Sequence, residues 1–301
     1  MNRSDPDLKS IECSSSDEYQ SALELLKSCL YTITDNYEQY PLPPNGYVKT
    51  GLVELDRMMI GLPLGSLTLI AGSSGSGKTG VICALAQHLA IEEKTNMGIV
   101  SLRLSGEQVM MRMIAATGQL DLGQLTSAIL DTSAFEKLTH AAATIEKSSL
   151  FINDKPFNGV EQLLLLIEAF IKTKQLTLLA IDDFPFRYCA DDQYSAIQNS
   201  ERFVFQLQKL ARNLNIAIVL TAGISNRVYN RRDPKPRLSD LSIHGDLVSA
   251  TDIVWFLYRE HLYFADTQRR GIIELSVAKH NQGRLGKFSL IDKLSMGRLE
   301  S

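Results

Sequence analysis

Apolar positions follow two different periods along this 301-residue chain. Near the start, Ala22, Leu25, Leu26, Cys29, Ile33 and Tyr37 fall at helical spacing and predict an amphipathic helix of roughly 20 residues. Ser15-x-x-Glu18 offers it a capping box, and the polar, Ser/Asp-rich composition of residues 1–15 predicts a disordered tail. The run Pro41-Leu-Pro-Pro-Asn-Gly46 then breaks the chain. This divides it into a tail (1–15), a helix with a Pro-rich connector (16–46) and a main domain (47–301). The helix's apolar stripe requires a partner, either its own domain or a neighbouring subunit. From Tyr47 onward short apolar runs alternate with helix-like segments. Strands are predicted at Ser66–Ala71, Gly98–Leu102, Ser149–Asn153, Thr177–Asp182, Ile216–Thr221, Ile253–Tyr258, Gly271–Ala278 and Lys287–Ile291. Helices between the first five argue an α/β fold whose central sheet is mostly parallel, closed by antiparallel strands at the end. No internal repeat is visible.

Composition narrows the picture. A net charge of −3 with 45% hydrophobic residues suits one large domain plus an appendage and exerts no global pull on nucleic acid, so any such site is a local patch. Cys13, Cys29, Cys83 and Cys189 show no C-x-x-C spacing, which argues against a zinc site or a disulfide framework. Cys83 reads as a small buried apolar residue. The N-terminal residues have no apolar core of a signal peptide, and the longest apolar segment, around Leu163 to Ile171, is interrupted by Glu168. A soluble, reducing, cytoplasmic setting with no membrane association is expected.

The chemistry concentrates at Gly72-Ser73-Ser74-Gly75-Ser76-Gly77-Lys78-Thr79, which matches G-x-x-x-x-G-K-[ST]. An apolar run precedes it and a helical run, Val81–Ala90, follows, the context that motif requires. Glycines let backbone N–H groups converge on a polyphosphate, and the helix N-terminus adds positive charge. Lys78 is the candidate contact to the β- and γ-phosphates of ATP, and the Thr79 hydroxyl a candidate ligand for Mg²⁺. The apolar strand Leu176–Ile181 ends in Asp182 and Asp183. An acid at a strand's C-terminus lies where ligands bind in such sheets, so Asp182 is the second candidate for the metal shell.

Together with these motifs, several others resemble the motor domain of DnaB-type replicative helicases. They are Gly51–Leu62, Ser105–Met113, Phe151–Asp154, Ser239-Asp-Leu241 with Asp252, Phe256–Glu260 and Lys279-His-Asn-Gln-Gly283. The resemblance covers about residues 17–295. It implies a RecA-like P-loop NTPase fold, ATP and Mg²⁺ as cofactors, a hexameric homo-oligomeric ring on single-stranded DNA, and replication or helicase-loading proteins as partners. It also implies that residues 17–38 are the family's linker helix, which docks on the adjacent subunit, and that Lys279 reaches the neighbour's nucleotide. The family's N-terminal collar domain has no counterpart in this sequence.

The departures fall on chemistry. Where the family has Ser-Leu-Glu-Met after its second strand, with Glu polarising water, this chain has Ser101-Leu102-Arg103-Leu104. Where the family's finger reads Lys-x-Arg, Lys279 is kept but Asn281 replaces the arginine; Arg284 lies three residues on. The family's Ser-Gln phosphate sensor is replaced by Thr221-Ala222-Gly223. Asp183 stands where many other phosphate-loop ATPases carry their catalytic acid, and is read either as that acid or as a turn residue. The single basic cluster, Asn226–Arg237, carries Arg227, Arg231, Arg232, Lys235 and Arg237 around Tyr229. It stands where the family's DNA-binding loop lies, and cations mixed with an aromatic ring suit single strands. A solvated loop is the plainer reading. Two main readings follow: an ATP-driven ring helicase, or a nucleotide-binding but hydrolysis-deficient relative that assists or regulates replication. A RecA- or KaiC-like ATPase with another task is a third.

Overall fold

The computed structural model describes residues 21–38, 46–186, 189 and 193–300. The tail, the Ser15/Glu18 cap and the Pro-rich connector lie outside these. The chain divides into two units, Met1–Asn45 and Gly46–Ser301.

In the first unit, helix α1 spans Ala22–Glu38. Its capping box is Ser21 with Glu24: the Glu24 N–H donates to Ser21 Oγ at 3.2 Å, and the Ser21 N–H donates to the Glu24 carboxylate at 2.7 Å. Two orphan N–H groups of the first turn are thereby satisfied. Leu26, Leu30, Ile33 and Tyr37 are all exposed on this helix.

The second unit opens with a two-stranded antiparallel ribbon, β1 (Tyr47–Val48) against β2 (Leu62–Pro63), enclosing helix α2 (Val53–Met59). The nine-stranded main sheet then contains β3 (Leu67–Gly72), β4 (Met97–Ser101), β5 (Leu150–Asn153), β6 (Leu178–Asp182), β7 (Ala217–Ala222), β8 (Ile253–Tyr258), β9 (Ile272–His280), β10 (Gly286–Lys293) and β11 (Arg298–Glu300). Their order is β11-β10-β9-β8-β3-β7-β6-β4-β5. Strands β3 to β8 pair in parallel, and antiparallel pairing begins only between β8 and β9. The fold is the expected RecA-like α/β arrangement. Every residue of β3, β4, β6, β7 and β8 is buried, as parallel strands covered on both faces require.

Helices cover both faces. On one, α3 (Lys78–Ala86) continues into a π-helical turn (Gln87–Glu92), with α4 (Gly106–Gly118) beside it. Helices α5 (Leu122–Ser127) and α6 (Thr132–Glu146) extend this layer by packing on α4. On the other face lie α7 (Gly159–Lys174), α8 (Gln193–Leu214) and the short α9 (Leu247–Ala250). Helix α7 buries Leu163, Ile167 and Ile171, spaced four apart, and α8 buries Phe203, Val204, Leu207 and Ala211. Each such large aliphatic or aromatic side chain contributes about 1.5–3 kcal/mol on leaving water. The consequence for function is directional. The phosphate loop leaves the C-terminal end of β3, where β4, β6 and β7 also end, so their terminal side chains converge on one edge.

Candidate nucleotide site and nucleic-acid loop

The loop Gly72–Gly77 joins β3 to α3 and is shaped by close approach. A Cβ on Gly72 would lie 2.5 Å from Ser76 Oγ and 2.8 Å from the Leu257 carbonyl oxygen, so no larger residue fits. Gly77, directly before α3, takes φ 105°, a conformation that favours glycine. Lys78 Nζ donates to the carbonyls of Gly72 and Ser73, both at 2.9 Å, so the ammonium folds over the loop's hollow. Burial lowers its pKa. Asp183 and then Asp182 oppose that shift, while Arg103 adds to it. Both acids and Arg103 therefore act electrostatically on the group that would meet the β- and γ-phosphates.

Across the edge, the Thr79 hydroxyl donates to Asp182 Oδ2 at 2.8 Å. Strand β7 lies between β3 and β6, and its Thr221 fixes the end of β6: its hydroxyl donates to Asp182 Oδ1 at 3.0 Å and accepts from the Asp183 N–H at 2.7 Å. A hydroxyl and a carboxylate side by side are hard oxygen donors. They fit Mg²⁺, which keeps waters and is held by one or two protein ligands plus substrate phosphates. Among the described residues, no group of three or more His, Cys, Asp or Glu could form an all-protein metal cage.

Asp183 has φ 82°, unusual for a residue with a Cβ, and its Oδ1 accepts from the Phe184 N–H at 3.1 Å. It faces a cavity shared with Arg103, Phe186, Gly223 and His244. His244 packs on Phe184 and Phe186, with Nε2 3.2 Å from the Gly223 carbonyl. Burial lowers its pKa, and the Gly223 carbonyl and Asp183 oppose that. Arg103 also lines the cleft over the loop, with Arg112, Leu122 and Arg259. Arg259 donates to the Gly75 carbonyl at 2.7 Å and pairs with Asp292. Cys83, beneath the loop, is buried, and its thiol is pushed up to about 12.

Lys279 is at the other end of the sheet. His280 opposes Ile253 on β8, and Ile253 lies beside Thr68 at the start of β3, whereas Gly72 at its end lies beside Leu257. The β9–β10 turn is thus about 15 Å along the strands from the chain's own phosphate loop, at ~3.3 Å per residue. The β8–β9 pairing slips in register between Val254 and Trp255, turning Lys279 onto the Val254 face, away from the face of Val277. There Nζ donates to the Val248 and Thr251 carbonyls at 2.7 and 2.5 Å. The outward-reaching Lys279 expected from the sequence is here a clasp on the C-terminal end of α9. Asn281 Nδ2 likewise donates to Asp252 Oδ1 at 3.1 Å.

The basic loop also differs from its sequence reading. Arg231 grips Asp240 with two hydrogen bonds of 3.0 and 2.9 Å, and Lys235 grips both oxygens of Glu274 at 2.8 and 2.9 Å. Arg237 pairs loosely with Asp233 at 3.7 Å. Arg231 and Lys235 therefore shape the loop, because the buried Asp240 and the largely covered Glu274 opposite them need their cations. Arg227 and Arg232 are exposed and make no ion pair with a described residue. Arg231→Ala is expected to lower stability by about 2 kcal/mol, since it strands the Asp240 carboxylate, which is 8% exposed. The figure is set below that of a fully buried pair because solvent reaches the arginine. Urea unfolding measures this; an unchanged midpoint would count against the structural role.

The model of the DnaB-like helicase C terminal domain matches residues 47–301. The chain belongs to this family. This DnaB-like chain is 29% identical over 276 residues to the replicative DNA helicase DnaC of Bacillus subtilis (strain 168), covering 90% of its own length. It is 28% identical over 279 residues to the replicative DNA helicase DnaB of Geobacillus stearothermophilus, covering 91%. It spans only 60% and 61% of those two proteins. Among solved structures, a DnaB-like replicative helicase, studied for its interactions with primase, matches with a TM-score of 0.80 at 26% identity, over 96% of this chain and 69% of that one. A separately solved ATPase domain matches with a TM-score of 0.81, also at 26% identity, over 92% and 98%. Among the described residues of this DnaB-like chain, no helix is long and apolar enough to cross a membrane.

Proposed function

We propose that this chain is an ATP-binding, DnaB-type helicase motor subunit that works on single-stranded DNA as part of a homo-oligomeric ring of six. The observation that carries the reading is the Thr79–Asp182 hydrogen bond of 2.8 Å across the edge of the sheet, beside Lys78 on the phosphate loop. Gly72, Ser73, Ser74, Gly75, Ser76 and Gly77 wrap the phosphates with backbone N–H groups, and Lys78 neutralises them. Thr79 and Asp182 hold Mg²⁺, which offsets phosphate charge when bound. Asp183 faces the attacking side, where it orients water, while Arg103 beside it holds the terminal phosphate. Arg227 and Arg232 contact the DNA backbone. Lys279 reaches a neighbour's nucleotide only after leaving Val248 and Thr251. The direct test is steady-state ATP hydrolysis with and without single-stranded DNA; absence of nucleotide binding would end this reading.

A second reading has its own support. Arg103 stands in the cleft where a proton acceptor is required, and Asn281 is tied to Asp252. These favour a subunit that holds ATP and turns it over slowly, as an assembly or regulatory partner in DNA replication. ATP binding without DNA-stimulated turnover would select it.

The exposed stripe of α1 supports docking on an adjacent subunit. A chain lacking residues 1–45 is expected to stay folded and bind nucleotide as a monomer. Light scattering that finds the full chain's oligomer in the truncated one would remove that role from α1.

A further inference from the structure

Three tyrosines join the basic loop to the phosphate loop. Tyr229, on the loop, stacks on Tyr263 with ring centres 5.0 Å apart at 30°. Tyr263 stacks in turn on Tyr258, at the end of β8, at 5.2 Å and 23°. Lys235 Nζ stands 5.5 Å over the Tyr258 ring while held by Glu274. Tyr258 is buried, but Tyr229 remains 47% exposed. Tyr229 belongs to a short 3-10 segment, Asn226–Asn230, pinned by the fully buried Val228 and capped by Ser225. Its ring is therefore held in place, with Arg227 two residues before it and Arg232 three after, both exposed.

The middle ring makes a second connection. The Tyr263 hydroxyl is hydrogen-bonded to Ser73 Oγ in the phosphate loop. The Ser73 carbonyl is also one of the two that hold Lys78 Nζ. One residue thus carries both the lysine that must turn toward the phosphates and the tyrosine that backs Tyr229.

We infer that Tyr229 is a nucleobase-stacking site for single-stranded DNA, and that Tyr263 links its occupancy to the phosphate loop through Ser73. This rests on the reading that the 226–237 loop meets DNA, and deepens it. A half-exposed ring already stacked from behind loses little freedom when a base adds to it, and two exposed cations beside it suit the flanking phosphates. When Lys78 leaves the Ser73 carbonyl for a phosphate, that carbonyl keeps only the Ser76 N–H at 3.2 Å, and the change passes to Tyr263 and its stacked partner. Linkage makes the effect mutual: if nucleotide alters DNA affinity, DNA alters nucleotide affinity by the same factor.

Fluorescence anisotropy with the full chain tests this, using labelled oligothymidine and an abasic strand of equal length, with and without saturating non-hydrolysable ATP analogue and Mg²⁺. Tyr229→Ala is expected to weaken oligothymidine binding about 5- to 100-fold. Tyr229→Phe should restore it, and on the abasic strand wild type and Tyr229→Ala should bind alike. In the wild type the analogue is expected to change DNA affinity by about 5-fold or more, and Tyr263→Phe, which keeps the ring but loses the hydroxyl, should erase that difference. Oligothymidine binding by Tyr229→Ala at the wild-type level, or an equal loss on the abasic strand, overturns the stacking site. A nucleotide effect that survives in Tyr263→Phe overturns the link. The Arg227→Ala/Arg232→Ala pair separates the two levels. If it weakens binding while Tyr229→Ala does not, only the stacking site fails; if neither variant matters, the loop is off the DNA path and the DNA-binding role proposed for it falls as well.

Discussion

Lys78→Ala is expected to abolish measurable ATP binding, a loss of at least ~100-fold. The backbone N–H groups of the loop would remain, but no other lysine or arginine replaces an ammonium placed 2.9 Å from both loop carbonyls. Arg103 does line the same cleft, yet it projects from the segment after β4 and is exposed, so solvent weakens its charge. A charge-assisted contact to phosphate is roughly twice as strong as a neutral hydrogen bond, and Lys78 would make contacts of that kind to two phosphates. Calorimetric titration reads the result, with a thermal melt of the variant to verify folding. Micromolar binding retained by a folded Lys78→Ala protein would move the nucleotide elsewhere.

The second large effect concerns turnover. The wild-type chain is expected to hydrolyse ATP at least ~100-fold more slowly than a ring helicase with an intact acid and finger. Arg103 offers no proton acceptor, and Asn281 contributes no cation to a neighbour. These two losses bear on one transition state, so repairing either alone should help little. Arg103→Glu combined with Asn281→Arg should raise the rate well beyond the product of the single changes. What turnover remains is expected to depend on Asp183, whose carboxylate faces the same cavity as Arg103 and acts on Lys78 more strongly than Asp182 does. Asp183→Asn should reduce residual hydrolysis by about 100-fold. Vigorous DNA-stimulated hydrolysis by wild type, unaffected in Asp183→Asn, would show that another group supplies the acid.

Parts of this were readable from the sequence, and the reason is locality. The central strands β3, β4, β6, β7 and β8 betray themselves as largely apolar runs, because parallel strands buried on both faces need no polar alternation. The phosphate loop is a contiguous motif whose glycines and lysine fall within eight residues. The ribbon Tyr47–Val48 with Leu62–Pro63 and the strand Arg298–Glu300 are too short to show any period. What sequence reading missed was assembled by topology. Thr221 joins Asp182 from 39 residues away, and Tyr263 meets Ser73 across 190. The basic loop shows the same limit. Its cations are obvious in the sequence, but the acids that claim them, Asp240 and Glu274, are chosen by the fold, so charge count alone overstated how many are free. The box that caps α1, Ser21 with Glu24, repeats the serine-to-glutamate spacing read at Ser15 and Glu18, a pair outside the described residues.

The slip in register beside Lys279 has a wider consequence. A hairpin whose lysine is satisfied within its own chain has a rest position, and reaching a neighbour's nucleotide, as proposed above, would mean trading two carbonyl partners for phosphate oxygens. Such an exchange roughly conserves hydrogen bonds, so its balance is set by small movements rather than by large energies. Those carbonyls belong to Val248 and Thr251, at the end of the short helix that begins three residues after His244. In the ring proposed above, any hold of Lys279 on a neighbour would be drawn from bonds that otherwise close this chain on itself.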